Sequence, residues 1–146
     1  MLRGNSPARI DEKGRLKIPS TFRSFIEQQY GRDVYITSLS GEFVRIYPMP
    51  IWLEIEKKVS VVSSMNPTIM RFLNRVNYYG AIGSFDAQGR IVIQPLLRKA
   101  AEVTGEVAVL GHQRYLDIWN RDRFEAKLGS EPVTEEDHRI LASLGI

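Results

Sequence analysis

The chain writes one short polar turn twice. "IDEKGRLKIP" runs from Ile10 to Pro19 and "FDAQGRIVIQP" from Phe85 to Pro95, with Asp, Gly and Arg recurring 75 residues later at the same offsets. Within 146 residues, a repeat at that distance leaves room for two small units and little else. Neither unit can bury much apolar surface alone, so the two are expected to pack together as one pseudo-symmetric body.

The likeness extends past the turn. After "GRLKIP" comes "STFRSFIEQQYG", where Phe22, Phe25 and Ile26 keep helical spacing and Gly31 supplies a stop. After "GRIVIQP" comes "LLRKAAEVTG", with Leu97, Ala100 and Ala101 in the same pattern and Gly105 as its stop. "DVYITSLSGEFVRIYP" then reads as a strand pair reversing at Ser40-Gly41, and "EVAVLGHQRYLDIWN" as its counterpart reversing around Gly111. Helical material follows each copy. "PMPIWLEIEKKVSVV" places Trp52, Ile55, Val59 and Val62 on one face, and Asn66-Pro67 opens a helix whose apolar face is Ile69, Phe72, Leu73 and Val76. The second copy closes more briefly with "RDRFEAKL" and, beyond Pro132, "TEEDHRILASL". The predicted units are residues 1–80 and 81–146. The expected fold is mainly β with short helices, formed by two internal repeats.

Within "DEKGR", Gly14 stands where the chain reverses and is the residue that takes positive φ cheaply. Asp11 can accept hydrogen bonds from backbone N–H groups two or more residues on, and can steady Arg15 across the turn. Asp11 and Gly14, with Asp86 and Gly89 in the second copy, are therefore assigned to holding the turn. Arg15 needs another reason. It shares a strand face with Lys17, opposite Leu16 and Ile18, and Lys13 stands at the tip. Three cations so close are comfortable only beside water or a polyanion. The second copy keeps Arg90 but has Gln88 and Val92 where the first has Lys13 and Lys17, so the basic cluster reads as belonging to the first copy alone.

Charge over the whole chain agrees with a polyanion partner. Residues 1–80 carry 12 Lys/Arg against 7 Asp/Glu, whereas residues 81–146 carry 8 against 10. Nothing in the sequence suggests catalysis. The two histidines, His112 and His138, fall in no metal-ligand spacing, and no P-loop, nucleophile elbow or Gly-rich dinucleotide turn is present. No catalytic residue, metal, cofactor or small-molecule substrate is expected. The chain has no cysteine and no apolar run long enough to span a bilayer, so the expected setting is the reducing cytosol, without membrane contact. Trp52, Phe72, Tyr78, Tyr79 and Trp119 read as core or interface residues rather than base-stacking platforms. The closing helix, with Ile140, Leu141 and Leu144, is expected to dock on its own or a neighbouring subunit.

The doubled D-x-x-G-R, Asp11-Gly14-Arg15 and Asp86-Gly89-Arg90, resembles the MraZ family of bacterial transcriptional regulators of division and cell-wall gene clusters. The opening "RG", the run "DEKGRLKIP" with "FR" after it, and the second "DAQGRIVI" carry the same resemblance, which covers nearly the whole chain. Leu2 stands where members often have a bulkier aromatic. The resemblance implies two AbrB-like (SpoVT/AbrB) swapped-hairpin units forming a pseudo-symmetric small β-barrel (double-psi type) within one chain. It also implies rings of about eight or more subunits that bind short tandem repeats of double-stranded DNA in the promoter of their own operon, in the cytoplasm at the nucleoid. The family's D-x-x-x-R residues fall on Asp11, Arg15, Asp86 and Arg90. On this reading Arg15 contacts DNA, Lys13 and Lys17 neutralise phosphates and Arg3 adds an arm contact. Arg90 stands open between a second DNA contact and a subunit-interface residue. The competing reading is an AbrB-like interaction module of the antidote type, with no operator of its own.

Overall fold

A computed structural model describes residues 1–146. In chain order the elements are β1 (Leu2–Ile10), β2 (Arg15–Lys17), α1 (Ser20–Tyr30), β3 (Asp33–Thr37), β4 (Val44–Pro48), α2 (Met49–Ser60) and α3 (Pro67–Tyr78). The second half repeats the order as β5 (Ala81–Ser84), β6 (Arg90–Val92), α4 (Pro95–Ala101), β7 (Gly105–Gln113), β8 (Tyr115–Asn120), α5 (Arg121–Ser130) and α6 (Glu135–Ser143). No helix is long and apolar enough to cross a membrane.

All eight strands join one sheet in the order β5-β3-β4-β8-β7-β1-β2-β6. The terminal strands β5 and β6 approach each other, so the sheet curls into a nearly closed barrel of the AbrB-like kind. Its order interleaves the halves. β1 pairs along its whole length with β7, and β5 pairs with β3, so each half lends its first strand to the third strand of the other. The short strands β2 and β6 pair with each other, as β4 does with β8. A pseudo-twofold arrangement of this kind follows from alternation. Inward residues such as Leu16, Ile91, Val34, Val107, Ile46 and Ile118 form a single core, and neither half contains enough of them to close a core by itself.

Several local expectations are corrected. The β7–β8 reversal lies at Gln113–Arg114, with His112 opposite Tyr115, rather than at Gly111. Gln113 takes the positive φ, 63°, while Gly111 sits inside β7 because a side chain there would run into the backbone of Arg3 on β1. Helix α4 stops at Glu102, which adopts the left-handed conformation (φ 54°), and not at Gly105, which opens β7. Helix α2 ends at Ser60, so Val62 lies beyond it and is exposed, and α6 buries no residue. Phe22 and Ile26 are buried beneath α1, and the Asn66 side chain caps α3 by accepting from the Thr68 and Ile69 N–H groups. Of the five aromatics, Trp52 and Trp119 are buried, Phe72 and Tyr79 half-buried, and Tyr78 exposed.

Candidate nucleic-acid interface

The two D-x-x-G-R turns are built alike, bond for bond. In the first, the Asp11 carboxylate accepts from the Lys13 and Arg15 backbone N–H groups, each at 2.9 Å, and from Arg15 Nε at 2.7 Å. In the second, Asp86 accepts from the Gln88 and Arg90 N–H groups, each at 2.8 Å, and from Arg90 Nε at 2.9 Å. The backbone N–H of Gly14 donates to the Asp11 carbonyl and that of Gly89 to the Asp86 carbonyl, both at 3.0 Å. Donated first by the Arg90 backbone, then by its side chain and by Gln88, these bonds hold the Asp86 carboxyl at about 2, below its ordinary 3.8. Asp11 is lowered by the equivalent set, the Arg15 backbone first.

Gly14 and Gly89 have φ of 81° and 76°, and both lie against the opposite half. A Cβ on Gly14 would stand 2.7 Å from the Ile93 carbonyl oxygen and 2.6 Å from the Arg98 side chain of α4. One on Gly89 would meet the Arg23 side chain of α1 at 2.7 Å. The exchange is reciprocal. The Ile93 N–H donates to the Gly14 carbonyl at 2.8 Å, and the Ile18 N–H donates to the Gly89 carbonyl at 3.0 Å. Each turn is thus propped by the helix of the other half. Arg23 and Arg98 were not singled out from sequence, although they recur at the same offset of 75 as the turns themselves. Their surroundings differ. Arg23 Nε donates to Glu27 at 3.2 Å, whereas the buried Arg98 Nε has no partner and Arg98 reaches Glu12 only through Nη1, at 3.4 Å. Glu102, where Glu27 would recur, has left the helix and lies 3.7 Å from Arg123 instead.

Arg15 therefore has a structural task that the sequence reading underweighted: its Nε closes the turn. That bond uses the inner edge of the guanidinium and leaves the side chain 36% exposed. The register of the β2–β6 ribbon then decides what the site looks like. Leu16 faces Ile91 in the core, so Arg15, Lys17, Arg90 and Val92 share the outer face, with Arg15 opposite Val92 and Lys17 opposite Arg90. The basic cluster does not belong to the first copy alone. Lys13 is exposed at the first turn, Arg15 begins the ribbon, and Lys17 and Arg90 stand side by side at its other end. Like charges directly opposed across a ribbon repel; Arg90 is tied through Nε to Asp86 at 2.9 Å, whereas Lys17 has no carboxylate partner.

Arg3 lies elsewhere. It sits in β1 opposite His112, seven residues from Ile10, which is about 23 Å along the strand. There it lines a cleft with Lys58, His112 and Arg114, away from the β2–β6 ribbon. Residues Glu135 to His138, four titratable side chains in succession on α6, are all exposed, and Asp137 is occupied in the capping box of that helix.

A family model described as "MraZ protein, putative antitoxin-like" matches residues 1–75 and 83–142. The chain is 45% identical over 146 residues to the transcriptional regulator MraZ of Acidobacterium capsulatum, covering 100% of both chains. To the transcriptional regulator MraZ of Koribacter versatilis it is 46% identical over 147 residues, again covering 100% of both. The MraZ of Citrobacter koseri is 34% identical over 121 residues, 82% of this chain and 80% of that relative.

Proposed function

Since the chain belongs to the MraZ family, we propose that it is a transcriptional regulator that binds double-stranded DNA through the outer face of the β2–β6 ribbon. The observation carrying this reading is the opposition of Lys17 and Arg90 beside Arg15. A cross-strand pair of cations costs stability in an isolated fold, and a line of phosphates removes that cost. Lys13, Lys17 and Arg90 neutralise phosphates. Arg15, held by Asp11 through Nε, presents the outer edge of a planar fork suited to bidentate contact with a guanine. The two turns, each propped by the other half, keep this face rigid.

The proposed target is a set of short tandem repeats in the promoter of the chain's own division or cell-wall operon. The proposed form is a ring-like homo-oligomer in the cytoplasm, associated with the nucleoid. The test is fluorescence anisotropy with duplex DNA from upstream of this chain's own gene. Arg15→Ala should lower affinity at least tenfold while circular dichroism and solution mass stay unchanged. Because Asp11 keeps its two backbone donors in that variant, the turn persists. Normal binding by Arg15→Ala would reduce the motif to architecture, and absence of any operator binding by the native protein would favour the antidote-type module.

A further inference from the structure

The pseudo-twofold relation between the halves fails at one place. In the first half, α3 packs over the outer face of β3 beside α2. The Val76 carbonyl accepts from Tyr35 Oη at 3.0 Å and from Thr37 Oγ1 at 2.7 Å, Val76 is 3% exposed, and Phe72 stacks near Trp52 of α2 with ring centroids 6.4 Å apart. The strand pairings map Tyr35 and Thr37 onto Ala108 and Leu110 of β7, because β3–β5 and β7–β1 share one register. Counted from the helix starts, Trp52 maps onto Phe124 of α5. At those positions the second half has an open apolar groove of about 360 Å³, lined by Pro7, Ala108, Leu110, Phe124 and Leu128 among others.

The helix that would fill it lies outside it. Like α3, α6 is capped by a side chain at its N-terminus, Thr134 in place of Asn66. Its Ile140, Leu141 and Leu144 repeat the spacing of Phe72, Leu73 and Val76. Yet α6 buries no residue, and Ile140 and Leu144 are 50% and 67% exposed. A helix of nine residues is too short to be stable without packing. The chain's own connection explains the separation. Helix α2 and its link to α3 take residues 49–66, whereas α5 and its link to α6 take residues 121–134, four fewer. With this shorter link, α6 contributes no residue to its own groove.

We infer that α6 of one copy docks in the groove between α5 and the β1–β7 face of a second copy, through Ile140, Leu141 and Leu144. One charged contact suits this occupant. The first turn of α6 carries Glu135, Glu136 and Asp137, and Arg121, which lies 3.2 Å from Glu106, lines the groove together with one carboxylate, Glu125. The inference rests on the self-assembly proposed above and names the surfaces that make it.

Because the chain contains no cysteine, paired single substitutions give a clean test. Leu144→Cys and Leu110→Cys are prepared as separate full-length proteins, mixed without DNA and oxidised. The expected result is a covalent dimer on a non-reducing denaturing gel, absent when Leu110→Cys is replaced by Ile82→Cys at the exposed position on β5. A double Leu110→Cys, Leu144→Cys variant that closes within one chain, running as a compact monomer, would show that α6 reaches its own groove and overturn the inference. No cross-link in the mixture would overturn it as well. Light scattering separates the two readings: a monomeric native protein defeats the proposed assembly, whereas an oligomer without cross-links defeats only this docking. Ile140→Asp with Leu144→Asp should cut the solution mass at least twofold, and an unchanged mass would also overturn the inference.

Discussion

At the scale of single residues, the turn separates three duties that look alike in sequence. Asp11 and Asp86 gather backbone N–H groups, Gly14 and Gly89 supply positive φ and clearance, and Arg15 and Arg90 close the loop with one nitrogen. Gly14→Val should destabilise the fold by at least about 1–3 kcal/mol, since a β-branched residue resists this φ and its Cβ would collide with Ile93. A urea melt of the variant would measure that loss. The lowered carboxyls give a pH signature. A group depressed on folding stabilises the fold fully above its unfolded value, and that stability drains away as pH falls through the folded one. For Asp86 the window runs from near 3.8 down to about 2. Carboxyl chemical shifts followed by NMR should place its midpoint at the low end of that window, and Arg90→Ala should move the midpoint upward by removing the side-chain donor.

At the scale of elements, the sequence was most legible where structure is local. Helix caps, apolar stripes and the glycine turns depend on neighbours within four residues, so Asn66, Phe22 and Gly14 could be read directly. Strand partners could not. That Lys17 meets Arg90 depends on register between residues more than 70 apart, and no spacing rule reports it. The same limit hid Arg45 and Asp117, opposed across β4 and β8. Asp117 is 4% exposed, and its carboxylate accepts from Arg45 Nε at 2.8 Å and from Nη2 at 3.1 Å, with His112 Nε2 3.5 Å away. The guanidinium also lies 4.2 Å over the Tyr115 ring, and its bond to Asp117 raises its pKa despite burial. Arg45→Ala would strand a buried carboxylate, so a loss of about 3–5 kcal/mol in chemical unfolding is expected. The β2–β6 ribbon should show the opposite trade. Lys17→Glu replaces a repulsion with an attraction to Arg90 and should gain about 0.2–1 kcal/mol in thermal unfolding while losing operator binding. Loss of both stability and binding would mean that Lys17 is packed for architecture.

At the scale of the whole molecule, one ribbon offers few phosphate contacts, and each neutralised phosphate contributes about −0.9 to the salt slope. The proposed ring, carrying many such ribbons, would gain effective concentration once one is engaged, by roughly 10²–10⁴ when spacing permits. Repeats about one helical turn apart, near 10 base pairs, should therefore bind far better than one repeat, and inserting about 5 base pairs between them should weaken binding by turning one site away. Titrating the three duplexes at fixed salt measures this, and equal affinity for all three would mean that each subunit reads its site alone. The crossed pairing of β1 with β7 has a consequence in time. β1 leaves the ribosome about a hundred residues ahead of its partner β7, so it waits as a bare edge while those residues are made, roughly 5–20 s at ordinary elongation rates. Neither half can mature first, and every nascent molecule passes through an interval in which one of its two longest strands is open to the wrong neighbour on a crowded polysome.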